Sequence, residues 1–161
     1  MRRFLILVLA AALTAGCGNQ TPGAVDTTLS DYVSALTRAT NEYRESLTQL
    51  PAPDGADAGD VVGGAAVTMW SYVAVVTSLR PPDEVDQAHR AYVAALEGSA
   101  TYMNDAAAAL EGVTLEEMPD VLESRFGSTA AELGREVTAA CVELERVAAL
   151  AGIGIQLGCD G

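Results

Sequence analysis

Chemistry in a protein needs side chains that ionise, ligate or attack, and this 161-residue chain has few suited to catalysis: one histidine (His89), three cysteines (Cys17, Cys141, Cys159) and four methionines, beside 22 carboxylates, nine arginines and no lysine. With a single imidazole, any Ser-His-Asp, Cys-His or multi-histidine metal site has to be assembled around His89. A di-iron bundle needs two Glu-x-x-His units and covalent c-type haem needs Cys-x-x-Cys-His, and the chain contains neither. His89 lies beside an apolar helical stripe and next to Arg90, where packing at the edge of a core is the expected role rather than proton transfer. Met69, Met103 and Met118 would suit a copper or b-type haem pocket with His89, but they fall on core positions, so packing is their expected role too. Asp54, Asp57 and Asp60 lack the spacing of an EF-hand loop and its closing bidentate glutamate, which leaves an acidic hinge. Glu143 and Glu145 read as a solvated helix face, and Trp70 as a packing anchor. The residues thus assign no catalytic, cofactor-binding or metal site, and the expectation is a protein that is not an enzyme.

The N-terminus carries the most specific signal. Arg2 and Arg3 precede an unbroken apolar run from Phe4 to Leu13, which spans about 15 Å as a helix, roughly half the hydrocarbon thickness of a bilayer. That is the pattern of a removable export signal rather than an anchor. The run ends in Leu13-Thr14-Ala15-Gly16-Cys17, which resembles the lipobox of bacterial lipoproteins, with Thr14 where leucine is more usual. The resemblance covers only the export segment. It implies transfer of a diacylglyceryl group, palmitate-type chains included, to the Cys17 thiol and cleavage after Gly16, so residues 1–16 are the signal. The two or three chains of such an anchor hold a domain durably at a membrane. Residues 17–28 then read as a flexible tether punctuated by Pro22 and Gly23; about ten extended residues reach roughly 35 Å. The implied location is the cell envelope, facing outside the cytoplasm.

With Cys17 assigned to lipid, Cys141 and Cys159 remain, eighteen residues apart in a compartment that permits oxidation. A structural disulfide is the expectation. Two buried free thiols or a metal pair are the alternatives, and one histidine supports the latter poorly. Loss of Arg2 and Arg3 with the signal takes the net charge from −13 to −15, which argues against nucleic acid or anionic headgroups as partners.

The elements that position these residues read as helices. Leu29, Tyr32, Val33, Leu36, Thr40, Tyr43, Leu47 and Leu50 recur at steps of three and four, predicting a helix over 29–50 stopped by Pro51 and Pro53. A second, over 61–79 with Asp60 as its cap, contains no charge; its length meets the criterion for a membrane span, yet its glycines and hydroxyls favour a buried helix in a soluble domain. Val62, Ala66, Met69, Val73 and Val76 should face the core. After the Arg80-Pro81-Pro82 break a third helix runs over 82–111 to Gly112, and a fourth continues from a Thr114/Glu117 capping box, or from Pro119, to Gly152. The architecture expected for residues 29–161 is therefore an all-α, antiparallel up-down-up-down four-helix bundle with a C-terminal strap pinned by the disulfide. Ala140-Cys141-x-x-Leu144 with Leu157-Gly158-Cys159 also looks like small, uncharacterised, actinobacterial-type helical lipoproteins, a likeness that implies no activity.

One feature of the pattern points to a partner. Gly64, Val67, Thr68, Ser71, Val75 and Ser78 form the outer side of the second helix, where a bundle normally exposes charge, and none is charged. The expectation is that an envelope protein, a second copy or the C-terminal strap covers this side. The leading functional reading is a non-catalytic binding or structural module of the envelope. The alternative is a carrier of a small ligand or cofactor, with a cavity near Met69, Trp70, Tyr92 or Met103.

Overall fold

The computed structural model describes residues 27–50 and 57–159, so the signal, most of the tether and the first part of the hinge lie outside the described residues. Those described form five helices and no strand: α1 (Leu29–Thr48), α2 (Ala58–Ser78), α3 (Asp83–Ala109), α4 (Met118–Phe126) and α5 (Thr129–Leu150). The all-α expectation holds, with one helix more than the periodicity suggested.

Each boundary has a local cause. Thr28 caps α1 by accepting the Asp31 amide, satisfying one of the donors that a helix start leaves free. The expected cap of α2 is corrected: Asp57, not Asp60, accepts the Asp60 amide at 2.8 Å, and the helix begins at Ala58. Asp57 wins because its second oxygen accepts the Gly112 amide at 3.2 Å while Ala58 donates to the Val113 carbonyl. The start of α2 is thereby tied to the end of α3. Pro82 sits at the N-cap of α3, ahead of Asp83, Glu84 and Asp86, whose charges complement the helix dipole.

The fourth expected helix is two. Thr114 and Glu117 make the capping-box hydrogen bonds, but around a turn, and α4 starts at Met118 with Pro119 in its first turn. It stops at Gly127, whose φ of +51° no helix can continue, and α5 restarts at Thr129. At the far end of α5 the Gly152 amide bonds to the Ala149 carbonyl and the Ile153 amide to Ala148, a Schellman closure that turns the chain back on itself.

Neighbouring helices pack in the order α1 on α2, α2 on α3 and α3 on α5, with α4 touching α3. The core gathers Tyr32, Val33 and Leu36 of α1, Tyr72, Val73 and Val76 of α2, Val85, Tyr92 and Leu96 of α3, and Cys141, Leu144 and Ala148 of α5, closed by Ile155, Leu157 and Cys159 of the strap. Of the expected α2 core residues, Ala66, Val73 and Val76 are buried and Val62 and Met69 half-buried. At Gly59 the helices approach so closely that a Cβ would lie 3.0 Å from the Ala107 carbonyl oxygen and 3.1 Å from Glu111 N. Gly59→Ala is therefore expected to lower stability by about 1–3 kcal/mol. Gly134→Ala, in open space within α5, is expected to raise it by about 0.5–1 kcal/mol. Urea unfolding of both variants checks the pair.

Candidate functional site

The site is built outward from a polar chain in the core. Thr40 Oγ1 donates to the Leu36 carbonyl at 3.0 Å, so its one proton is used. Tyr72 OH, 2.9 Å away, must then donate to Thr40, and Tyr92 OH, at 3.0 Å, must donate to Tyr72. This directional chain joins α3 to α2 to α1, and no buried side-chain polar atom among the described residues lacks a partner. Burial pushes the Tyr92 phenol far above its usual range, with Tyr72 beside it adding to the shift. Tyr43 stacks on Tyr72 with ring centroids 4.7 Å apart. Together these contacts set the rotation of α2 about its own axis.

The rotation decides what α2 shows to solvent. Val67 is 68 % exposed, Val75 44 % and Trp70 37 %, and Ser71 and Ser78 are exposed, while Gly64 and Thr68 are half-buried at the border with α1. The hydroxyls on this side are turned inward: Thr68 donates to the Gly64 carbonyl, Ser71 to Val67 and Ser78 to Val75, at 2.7–3.0 Å. A groove of about 230 Å³ runs along its α1 border, lined by Ala39, Tyr43, Thr68, Ser71 and Tyr72 among others, with Glu42 at its rim. Sequence reasoning found the α2 side of this surface but not the α1 wall, because the partner of a helix face is a tertiary fact. Among the described residues α2 is also the one helix long and apolar enough to cross a membrane.

The strap does not cover this surface, which corrects one of the three covers expected for it. It is held elsewhere, by hydrogen bonds on both sides of one residue. The Leu157 amide donates to Glu145 Oε1 of α5 at 2.5 Å, and the Leu157 carbonyl accepts from Arg44 Nη2 of α1 at 2.5 Å. Arg44 also donates to Gly158 O, and a Cβ at Gly158 would collide with the guanidinium. The expected disulfide Cys141–Cys159 is present, with Cα atoms 5.6 Å apart. Glu145 lies with these sulfurs in the one close cluster of metal-type donors among the described residues. Bonded to each other, the sulfurs offer no thiolate to a metal.

His89 is more deeply placed than a boundary residue, at 5 % exposure. Its Nδ1 lies 2.9 Å from the Tyr32 hydroxyl, and burial lowers its pKa, Asp86 opposing and Arg90 assisting the shift. The neutral ring and the Tyr32 hydroxyl are thus hydrogen-bond partners within the core. His89 also lines a shallow recess of about 440 Å³ with Asp86, Arg90 and Glu97, where Asp86 is paired to Arg90 at 2.6 Å. A third recess, of about 610 Å³, lies between Leu29, the Arg80-Pro82 turn and Ile153, at the end where the N-terminal segment leaves. None of the three recesses is lined by Met69, Trp70, Tyr92 or Met103, where a carrier cavity was expected. Cys17 lies outside the described residues.

Compared with protein-family models, curated proteins and solved structures, the chain finds no match in any of the three.

Replacing both Cys141 and Cys159 by serine is expected to cost about 3 kcal/mol in urea unfolding, the value for a loop of this length. For His89 the folded pKa lies below the unfolded one. Its contribution is therefore full above the unfolded pKa of about 6.5 and is lost as the pH falls through that value toward the folded pKa. His89→Gln, which still offers Tyr32 a hydrogen-bond partner, is expected to flatten the acid limb of the stability curve between about pH 7 and 5.

Proposed function

We propose that this chain is an exported lipoprotein, anchored through Cys17 and tethered by residues 17–28, whose helices form an up-down-up-down bundle that docks an envelope component on the outer side of α2. It carries out no reaction of its own. The observation that carries this reading is the chemistry of that side: large apolar side chains stand exposed, and the hydroxyls between them already bond to their own helix. Removing such a surface from water strands no polar group, so its burial is favourable at roughly 25 cal/mol per Å². On a chain with 22 acidic residues, a helix side without charge favours an uncharged contact.

The bundle arrangement is supported by the successive packing of α1, α2, α3 and α5 and by the strap lodged against α1 and α5. Anchoring is supported by the lipobox resemblance of Leu13-Thr14-Ala15-Gly16-Cys17. The same anchoring places the domain on the outer side of a membrane.

The test is a Ser71→Arg/Val75→Arg double variant of the lipidated protein, both sites being exposed. The expected result is unchanged solubility and helicity with loss of the proteins that co-purify from the envelope. Identical co-purification would remove the docking reading, and mass analysis showing Met1 retained and residue 17 unacylated would remove the anchoring.

A further inference from the structure

At 3.6 residues per turn the outer side of α2 has three lines of residues. Val67, Ser71 and Ser78 lie along its middle; Thr68, Tyr72 and Val75 lie toward α1 and line the groove, whose near edge Val67 and Ser71 also form; Trp70 and Thr77 lie on the opposite flank, Thr77 lining the recess shared with α3. A hollow and a partly exposed tryptophan, 37 % open to solvent, thus flank the same uncharged line. The groove spans residues 67–75, so its middle is within one residue of Trp70, about 1.5 Å along the axis. A cavity of about 150 Å³ accepts a benzene ring, and this groove measures about 230 Å³.

Resting on the docking role proposed above, we propose that the partner is a second copy of this chain. Two copies pair through α2 about a two-fold axis parallel to the helices, each seating Trp70 in the α1–α2 groove of the other. Symmetry selects the orientation. With the axis parallel to α2, the α1 side of one copy meets the α3 side of the other at equal height, so groove faces tryptophan twice. With the axis perpendicular to the plane of the two helices, α1 side meets α1 side: groove faces groove and neither is filled. The parallel arrangement also keeps both anchored ends on the same side of the pair, so neither tether has to stretch past the domain, and confinement to one surface raises the effective concentration.

Charge selects the occupant. A basic partner would be drawn to the acidic faces, whereas two copies of the chain, at a net charge of −15 once Arg2 and Arg3 leave with the signal, repel over most of their surface and approach most easily along the uncharged stretch from Val61 to Leu79. The other large exposed apolar side chains among the described residues, Val142 and Leu150, stand apart on α5, near the Glu143–Arg146 ion pair.

The test uses the full lipidated chain. In mild detergent it is expected to dimerise with rising concentration, and acrylamide quenching of Trp70, the one tryptophan, should fall in parallel. By sedimentation Trp70→Ala is expected to weaken dimerisation about tenfold or more. In native membranes Ser71→Cys and Ser78→Cys should each cross-link to their own counterpart, with Ser124→Cys on α4 as the silent control. A monomer at every concentration with constant quenching overturns the proposal. So does cross-linking at residue 71 without residue 78, which is the signature of the perpendicular axis. Cross-linking to a different protein overturns self-pairing while leaving the docking reading intact; loss of co-purifying proteins in the double-arginine variant without any dimer has the same meaning.

Discussion

The hydroxyl of Tyr72 is the point on which the arrangement turns. It sits between Thr40 and Tyr92, donating to Thr40 and accepting from Tyr92, and so joins three helices through one buried oxygen. A buried hydroxyl without partners costs about 1–3 kcal/mol, which penalises any rotation of α2 that breaks the chain. The stacked Tyr43 ring reinforces that constraint. Val73 and Val76 then point inward, and Val67, Ser71 and Val75 have no direction left but outward. The exposed uncharged side is thus a consequence of the core.

A second constraint acts at the chain's end. The described residues beyond α5 form no helix or strand, and their backbone groups need partners when buried. Leu157 is served on both sides, by Glu145 of α5 and Arg44 of α1, so an acid and a base from different helices meet through one residue of the strap rather than directly. The disulfide limits how far this segment can move when those bonds open. With the strap lodged there, Val67, Ser71 and Val75 on the outer side of α2 remain exposed among the described residues.

Most of the helical outline was legible in the residues. The stripe from Leu29 to Leu50 and the stop at Gly112 follow from period and turn chemistry, and the pairing of Cys141 with Cys159 was expected from the count of cysteines; these are local or countable properties. The misreadings share a cause. Asp57 displaced Asp60 as the cap of α2 because its other oxygen reaches Gly112, distant in sequence and adjacent in space. The fourth helix divided at Gly127 although its apolar spacing runs on, since spacing records which face is apolar and carries little information about a backbone break. His89 went deeper than its flanking Arg90 suggested because the Tyr32 hydroxyl of α1 was there to pair with it.

What the sequence by itself determined is the helical class, the approximate limits of the helices, the two cysteines that pair and the absence of charge along α2, because each depends on residue type and near spacing. Only the tertiary structure decided which wall faces that uncharged side, where the strap lies and which hydroxyls meet. Those depend on contacts between residues tens of positions apart, such as Arg44 with Leu157, and no periodicity within a single helix encodes them.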